Sequence, residues 1–169
     1  ESNDIIQALD NGSAQLGLIS GFFISKNLHT LEFIDDPLVL ICPMNHELKD
    51  KSALQLFDIL HYPFVGLMQY HSLQQSIETQ AKLLNCAIQY RLRLPNFAAI
   101  AQVVANGVGI AIMPKRAARR LNILYDFHQV ELVGEWANRK LLLVAKNFDE
   151  LPLSYQHFSQ FLIEQKNHL

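Results

Sequence analysis

The chain has 169 residues, half of them hydrophobic and 18% charged. A chain of this length and composition can bury a sizeable core, which excludes disordered, collagen-like and coiled-coil proteins. Its 14 basic and 16 acidic side chains give a net charge of −2. This balance argues against a nucleic-acid-binding surface, because phosphate contacts need clustered positive charge. No apolar run reaches the length of about 20 residues that spans a bilayer.

Helices and strands are predicted to alternate along the chain, which is typical of a parallel α/β sheet with crossover connections. Apolar residues that recur every three or four positions indicate the helices, and apolar runs or strict alternation indicate the strands. The predicted helices are a short first one with the apolar stripe Ile5, Ile6 and Leu9, then 52–60, 72–84, 97–106, 114–120 and a last one from 152 onward. The predicted strands are 15–20, 31–34, 37–42, 63–67, 87–94, 108–113, 130–133 and 140–146.

The first helix and the first strand have clear local signals. Ser2, Asn3 and Asp4 are N-cap candidates for the helix, and Asn11-Gly12 supplies its left-handed stop. The strand over 15–20 is apolar nearly throughout, which predicts a central strand covered on both faces.

Three later helices also carry start signals. Ser52 and Gln55 have capping-box spacing, Ser72 is predicted to cap the helix that follows it, and Pro152 suits position N1 of the last helix. The last helix is predicted to turn its large apolar side chains inward, namely Tyr155, Phe158, Phe161 and Leu162.

The pair Asp35-Asp36 interrupts two apolar strands and stands before Pro37. Proline forces the preceding residue into an extended conformation, so no helix continues here. We predict that the chain leaves one sheet at this point and enters a second, which gives two lobes. The carboxylates themselves are interpreted as turn chemistry rather than as a general acid/base pair.

Candidates for catalysis and for metal binding are weak. His71-Ser72 precedes a predicted helix, but the chain has no GxSxG motif, and a helix-capping serine is the favoured interpretation. The seven histidines have no HxxxH, HExxH or Cys/His ligand spacing, so we predict no metal and no cofactor. Cys42 and Cys86 are predicted to be reduced and to act as small, buried hydrophobic residues.

Two further motifs have structural interpretations. The glycines of Asn106-Gly107-Val108-Gly109 follow a helix and precede a strand, which is the reverse of the phosphate-binding order. They are therefore predicted to end the helix and to allow a tight entry into the strand. The basic side chains of 115–120 predict a solvated or dimer-contacting face in preference to a DNA patch.

The remaining candidates lie where strands end and helices begin, at Ser20-Gly21, 69–72 and 96–98. Ligands of open α/β sheets bind beyond the carboxyl ends of strands, where helix N-termini offer free N–H groups. Small polar and aromatic residues gather at these junctions without a catalytic set. They favour the binding of a small anionic or amide-bearing ligand without turnover, although serine and asparagine also occur there simply as helix caps.

The order and spacing of several segments resemble the effector-binding domain of LysR-type transcriptional regulators. The match runs over nearly the whole chain. The segments that carry it are NDIIQAL (3–9) with Gly12, QLGLI (15–19), DPLVLICP (36–43) with HEL (46–48), PFV (63–65), VVANGVGIAIMP (103–114) and LS (153–154).

The resemblance implies an α/β fold of the type 2 periplasmic-binding-protein kind, with two Rossmann-like lobes joined by two crossover strands. Lobe I would comprise 1–35 plus 134–169, and lobe II 36–133. The family's winged helix-turn-helix and the first strand-helix-strand of lobe I have no counterpart in this sequence, so we expect an incomplete ligand site. Carried onto this chain, the implied effector contacts are Ser2, Asn3, Ser20, Gly21, Tyr70, His71, Ser72 and Phe97.

The implied function is that of a cytoplasmic, non-enzymatic sensor domain that binds a small metabolite between its lobes. The resemblance implies a homodimer or homotetramer. It also implies that DNA is contacted only through the helix-turn-helix domain and that no part of the protein contacts a membrane. One alternative is a solute-binding protein of a transport system, which shares the two-lobe architecture but requires export. Another is a hydrolase or transferase, which would need Ser72 for turnover.

Overall fold

The computed structural model describes residues 2–20 and 27–165. Contacts divide the chain into two compact units: unit 1 comprises Glu1–Asp36 and Arg139–Leu169, and unit 2 comprises Pro37–Asn138. The first division lies one residue after the predicted lobe boundary and the second lies five residues after it. The second moves because the segment after residue 132 stays with unit 2: the N–H of Val133 donates to the carbonyl of Leu54 at 2.9 Å, and Ala137 is part of the unit 2 core.

The described residues form six α-helices, nine strands and two short 3-10 turns, Glu47–Asp50 and Glu135–Ala137. The helices are α1 (Ser2–Asp10), α2 (Leu56–Ile59), α3 (Ser72–Leu83), α4 (Phe97–Ala105), α5 (Lys115–Leu121) and α6 (Leu153–Gln165). The strands are β1 (Gly17–Ser20), β2 (His29–Asp35), β3 (Leu38–Pro43), β4 (Ala53–Leu54), β5 (Phe64–Leu67), β6 (Tyr90–Leu94), β7 (Ala111–Pro114), β8 (Phe127–Leu132) and β9 (Lys140–Ala145).

Unit 1 contains a three-stranded sheet in the order β1-β9-β2, and both ladders are antiparallel. Its core joins Leu9 of α1 to Ile19 and Val144 of the sheet. The prediction of a central first strand is wrong for the described sheet, since β1 pairs there only with β9. Leu18 of β1 is accordingly 41% exposed, because an apolar run shows that a strand can be covered without showing which neighbours cover it.

Unit 2 is built around β3, whose six residues are all buried. Its four-stranded sheet has the order β4-β8-β3-β7, and β5 and β6 form a separate parallel pair. The prediction that the chain changes sheets at Asp35-Asp36 is confirmed, since β2 and β3 belong to different sheets. The predicted parallel order is only partly right, because β3 runs antiparallel to both of its neighbours. Fully buried strands have the same apolar pattern in either direction, so the sequence could not distinguish the two.

The glycines after α4 do what the sequence predicts. Gly107 has φ +81°, a left-handed conformation that ends the helix. Gly109 allows close approach, since a Cβ there would lie 2.5 Å from the carbonyl oxygen of Pro63. The two segments are joined at this point by hydrogen bonds from Ile110 N to Pro63 O (3.0 Å) and from Val65 N to Ile110 O (2.8 Å).

The predicted helix over 52–60 is replaced by strand β4 and the single-turn helix α2. Ser52 therefore caps nothing. Instead Gln55 stands at the N-cap of α2, and its N–H donates to Oδ2 of Asp58 at 2.8 Å. Ala53 and Leu54 pair with β8, so sheet pairing overrides the local helical signal.

The last helix begins one residue later than predicted, and its aromatic side chains face solvent instead of the core. The carbonyl of Pro152 accepts from the N–H groups of Tyr155 and Gln156 at 2.8 and 3.1 Å, so Pro152 precedes the helix instead of occupying N1. The side chains of Tyr155, Phe158 and Phe161 are exposed, whereas Ser159 is buried. Periodicity predicts that these aromatics share a face, but not what that face meets.

Candidate functional site

Two helices of unit 2 start beside each other at one edge of a parallel strand pair. Leu67 and Leu94, the last residues of β5 and β6, are register partners. The N–H of Met68 donates to the carbonyl of Leu94 at 3.1 Å, which extends the pairing by one residue. Helices α3 and α4 follow these strand ends closely. Their N-termini therefore bring first-turn N–H groups and positive dipole ends to the same sheet edge.

The predicted site residues of unit 2 lie at this edge, which we call the His71–Phe97 edge and define as residues 68–72 and 95–97. His71 is the N-cap residue of α3, and its ring meets that of Phe97 edge-on with centroids 6.1 Å apart. Ser72 is the first residue of α3 and not its N-cap; His71 occupies the N-cap position, but its side chain makes no cap hydrogen bond. Tyr70 is exposed beside them.

Asn96 completes this edge and was not among the predicted contacts. It is the N-cap of α4, and its Oδ1 accepts from the N–H of Ala99 at 2.9 Å. The signal in the sequence was an asparagine directly before an apolar helix. The cap satisfies one N–H of the first turn and leaves the remaining ones available to a ligand.

A buried polar network connects α3 to strands β5 and β6 next to the His71–Phe97 edge. Gln74, only 2% exposed, accepts from the N–H of Leu67 at 2.9 Å. Its Nε2 lies 2.5 Å from the hydroxyl oxygen of Tyr90 and 3.1 Å from Oε1 of Glu78. Gln74 thus ties the first turn of α3 to the last residue of β5 and to the first residue of β6. The sequence signal for it was weak: a glutamine on the apolar stripe three residues before Ile77.

Arg93 closes the same network from β6. It donates to Glu78 at 2.7 Å and to the carbonyl of Leu67 at 3.3 Å, and its guanidinium lies 4.1 Å from the centroid of the Tyr90 ring. Burial raises the pKa of Tyr90 to about 12, so its phenol keeps its proton at neutral pH. The network therefore joins α3, β5 and β6 through a neutral phenol, a side-chain amide and one ion pair.

Two of the predicted contacts in unit 1 are joined by a hydrogen bond. The N–H of Ser20, at the end of β1, donates to Oγ of Ser2 in the first turn of α1 at 3.4 Å. Ser2 and Asn3 lie within the first turn instead of capping it, and Asn3 is exposed. Gly21 lies outside the described residues.

The interpretation of Asp36 as turn chemistry is wrong. Oδ2 of Asp36 accepts from a terminal guanidinium nitrogen of Arg139 at 2.6 Å, and both side chains are buried. The N–H of Asp36 also donates to the carbonyl of Arg139 at 2.8 Å. The pair fastens the two points at which the chain leaves unit 1 and returns to it, so its role is structural.

Other predicted features are placed as follows. Cys42 is buried as predicted, but Cys86 is partly exposed in the turn after α3. In the basic helix α5, Lys115 pairs with Glu131, whereas Arg119 and Arg120 are exposed.

Within 2–20 and 27–165, no group of three or more His, Cys, Asp or Glu side chains is arranged to hold a metal ion. Over the same ranges, no helix combines the length and the apolar composition needed to cross a bilayer.

Comparison with solved structures identifies the fold. The regulatory domain of CcmR from Synechocystis PCC6803, solved in complex with 2-PG, superposes with a TM-score of 0.85 at 19% identity, covering 98% of this chain and 80% of that one. The effector-binding domain of QuiR in complex with shikimate gives a TM-score of 0.77 at 18% identity, covering 99% and 78%. The type 2 periplasmic-binding-protein-like fold is thereby confirmed.

Sequence relatives are transcriptional regulators. An uncharacterised HTH-type transcriptional regulator of Methanocaldococcus jannaschii is 25% identical over 168 residues, which cover 96% of this chain and 55% of the relative. The RuBisCO operon transcriptional regulator of Allochromatium vinosum is 25% identical over 109 residues, covering 64% and 36%. This chain thus spans about half or less of the length of these relatives, and the matches give no support to the transport alternative.

The family model of the LysR substrate binding domain matches residues 1–167. The order of the segments noted in the sequence, the fold and the relatives all agree with that match. The chain therefore belongs to the LysR substrate-binding domain family and is a regulatory, effector-binding domain.

Proposed function

We propose that this domain binds a small anionic effector through the His71–Phe97 edge, and that the contacts include Tyr70, His71, Ser72 and Phe97. The observation that carries the proposal is the meeting of two helix N-termini at one strand edge. First-turn N–H groups and the helix dipole favour a negative group by about 0.3–1 kcal/mol per helix in exposed positions. Ser2, Asn3, Ser20 and Gly21 are proposed as the contacts of unit 1.

The chemical class of the effector is argued from the edge and from the neighbours. The side chains there supply a hydroxyl, an imidazole and aromatic faces, which suit a carboxylate or phosphate attached to a small polar body. The structural neighbours were solved with 2-PG and with shikimate, and shikimate carries a carboxylate. We therefore expect this chain to prefer carboxylate or phosphate compounds to their uncharged analogues.

We further propose that binding is not followed by chemistry. A hydroxyl nucleophile needs a base within hydrogen-bond reach that is itself oriented by a third group. His71 and Ser72 are consecutive residues at a helix start, where successive side chains point in different directions. The effector should therefore be recovered unchanged after incubation, which NMR of the small molecule can check.

At the level of the whole protein, we propose a cytoplasmic transcriptional regulator. Effector binding would bias the domain between two arrangements, and a homodimer or homotetramer would pass that bias to a helix-turn-helix domain on DNA. The bias cannot exceed the difference in effector affinity between the arrangements. The relatives named as transcriptional regulators support this proposal.

A thermal-shift screen followed by calorimetry tests the proposed site. The panel contains shikimate, phosphoglycolate and other carboxylate and phosphate compounds, each with an uncharged amide or alcohol analogue. Any hit is then titrated against His71→Ala and Ser72→Ala. A hydrogen bond to a charged group contributes about 1.5–3 kcal/mol, so each variant should bind roughly ten- to a hundredfold more weakly.

Ser154→Ala is the matched control, since Ser154 is an exposed residue in the first turn of α6. Its affinity should equal that of the unmodified chain. Unchanged affinity in both His71→Ala and Ser72→Ala would disprove the site, and equal binding of the uncharged analogues would disprove the anionic class.

A further inference from the structure

Unit 2 has a concavity at the opposite end of α3 from the His71–Phe97 edge. It is formed by α2, the last turn of α3 and the segment that follows β8, and it encloses about 330 Å³. A helix of the length of α3 (12 residues) spans about 18 Å, so the two places are well separated. The large apolar side chains around the concavity are Leu56, Phe57, Leu83, Leu84, Val133 and Trp136.

Several of these side chains are exposed although they are large and apolar. Phe57 is 61% exposed and Leu83 is 70% exposed. Apolar surface in contact with water is unfavourable relative to buried apolar surface. Single exposed side chains are ordinary, but a cluster around one concavity marks a binding surface.

The wall of the concavity is fixed by the backbone. Gly134 has φ +118°, and a Cβ there would lie 2.9 Å from both Cδ1 and Nε1 of Trp136. The main chain therefore lies directly against the indole edge. Hydrogen bonds from Val133 N to Leu54 O at 2.9 Å and from Ala137 N to Gly134 O at 3.1 Å hold the segment on both sides. The concavity is thus preformed, which lowers the entropic cost of binding.

The lining defines the chemistry of a ligand. Among the described residues that line the concavity, none carries an ionisable side chain. The polar side-chain groups are the amides of Gln55 and Gln80 and the indole N–H of Trp136. A charged ligand would lose hydration there without gaining a partner of opposite charge. A flat apolar ligand with one neutral hydrogen-bonding group fits both the walls and the amides.

We propose that this concavity, which we call the Trp136 groove, is a second small-molecule site that takes an uncharged aromatic or alicyclic compound bearing a hydroxyl or amide group. The site stands independently of the anionic effector proposed for the His71–Phe97 edge.

Trp136 is the only tryptophan of the sequence, so its indole N–H gives a single, unambiguous NMR signal. The uniformly ¹⁵N-labelled chain is titrated with benzyl alcohol as the probe, and in parallel with benzoate as its charged counterpart. We expect the indole signal to shift and saturate with benzyl alcohol, and benzoate to bind at least tenfold more weakly.

Leu83→Lys places an ammonium in the groove at a position that is already exposed, and it should weaken benzyl alcohol binding at least tenfold. The matched control is Leu124→Lys, because Leu124 is 71% exposed in unit 2 but outside the groove; its affinity should stay within twofold. Unchanged backbone spectra verify that both variants are folded.

Three results would overturn the proposal. The first is a linear, non-saturating shift that is identical in both variants. The second is binding of benzoate as tightly as benzyl alcohol, which would refute the uncharged class. The third is an indole signal that moves with protein concentration in the absence of probe, which would make the groove a contact between copies of the chain.

Discussion

Gln74 supplies hydrogen-bond partners that the sheet does not provide at the end of β5. Its side-chain oxygen accepts from the N–H of Leu67, and its amide nitrogen reaches the hydroxyl of Tyr90. A polar side chain in this position is costly to bury unless its partners are kept, and those partners depend on it equally.

Gln74→Leu should therefore destabilise the chain by about 2–4 kcal/mol, because it leaves the N–H of Leu67 and the Tyr90 hydroxyl without a buried partner. Urea unfolding followed by circular dichroism measures the free energy. The control is Gln75→Leu, since Gln75 is exposed on the same helix, and its effect should be within about 0.5 kcal/mol. Equal effects of the two changes would contradict the assigned role of Gln74.

The two cysteines should differ in reactivity. Burial raises the pKa of the Cys42 thiol to about 11, and its side chain is fully covered, whereas Cys86 is partly exposed. Iodoacetamide at pH 8 should alkylate Cys86 in the native chain and Cys42 only after unfolding in urea, because the thiolate is the reacting species. Peptide mass mapping reads out both sites. Rapid native alkylation of Cys42 would refute its burial.

At the scale of elements, the sequence predicted the positions of helices and strands well and their surroundings poorly. Helix α4 and strands β3 and β5 were predicted because apolar pattern, cap and glycine signals coincide there. The helix predicted over 52–60 was too long, because part of that range forms β4, which pairs with a strand more than seventy residues away. The exposed aromatic face of α6 could not be predicted from periodicity alone.

The stability of one 3-10 turn depends on the protonation state of His46. It is the N-cap of the 3-10 turn Glu47–Asp50, and its Nδ1 accepts from the N–H of Leu48 at 3.2 Å. Burial lowers the pKa of His46, and the charge of Glu47 offsets this in part. Only the neutral imidazole can accept this hydrogen bond.

Since the pKa of His46 is lower in the folded chain than its ordinary value of 6.5, its stabilising contribution is complete above pH 6.5. The contribution is lost as the pH falls below 6.5 towards the folded pKa, because the unfolded state takes up the proton first. His46→Asn keeps an acceptor for Leu48 but does not titrate. The unmodified chain should therefore lose more thermal stability than the variant between pH 7.5 and 5.5; parallel melting curves would exclude this coupling.

For the whole molecule, the division into two units was predicted at Asp35-Asp36 from a break in the apolar pattern. The ion pair that secures this division was not, because Asp36 and Arg139 lie 103 residues apart and nothing local connects them. The effector contacts proposed at the His71–Phe97 edge came from the resemblance and from the general rule for strand ends. The Trp136 groove had no sequence signal, since its side chains come from three separated segments.

Removing one partner of a buried ion pair leaves the other charge uncompensated. Asp36→Asn should therefore destabilise the chain by about 3–5 kcal/mol, and Asp36→Leu combined with Arg139→Leu should cost much less than the two single changes added together. Denaturant unfolding of the unmodified chain, Asp36→Leu, Arg139→Leu and the double variant measures the coupling free energy between the two side chains.

An exposed pair in the same unit serves as the control for this cycle. Nζ of Lys140 lies 2.5 Å from Oε2 of Glu32, whose side chain is 69% exposed. Glu32→Gln should change the stability by no more than about 1 kcal/mol. A comparable loss from Glu32→Gln and Asp36→Asn would mean that burial does not strengthen the Asp36–Arg139 pair.

The backbone hydrogen bond between Asp36 and Arg139 has a topological consequence. It places the two ends of Pro37–Asn138 next to each other, so that this stretch is an insertion between the two segments of unit 1. A segment whose ends meet can be excised, permuted around a new origin or replaced without stretching the host chain. A foreign domain whose own ends lie close together could therefore take the place of this stretch.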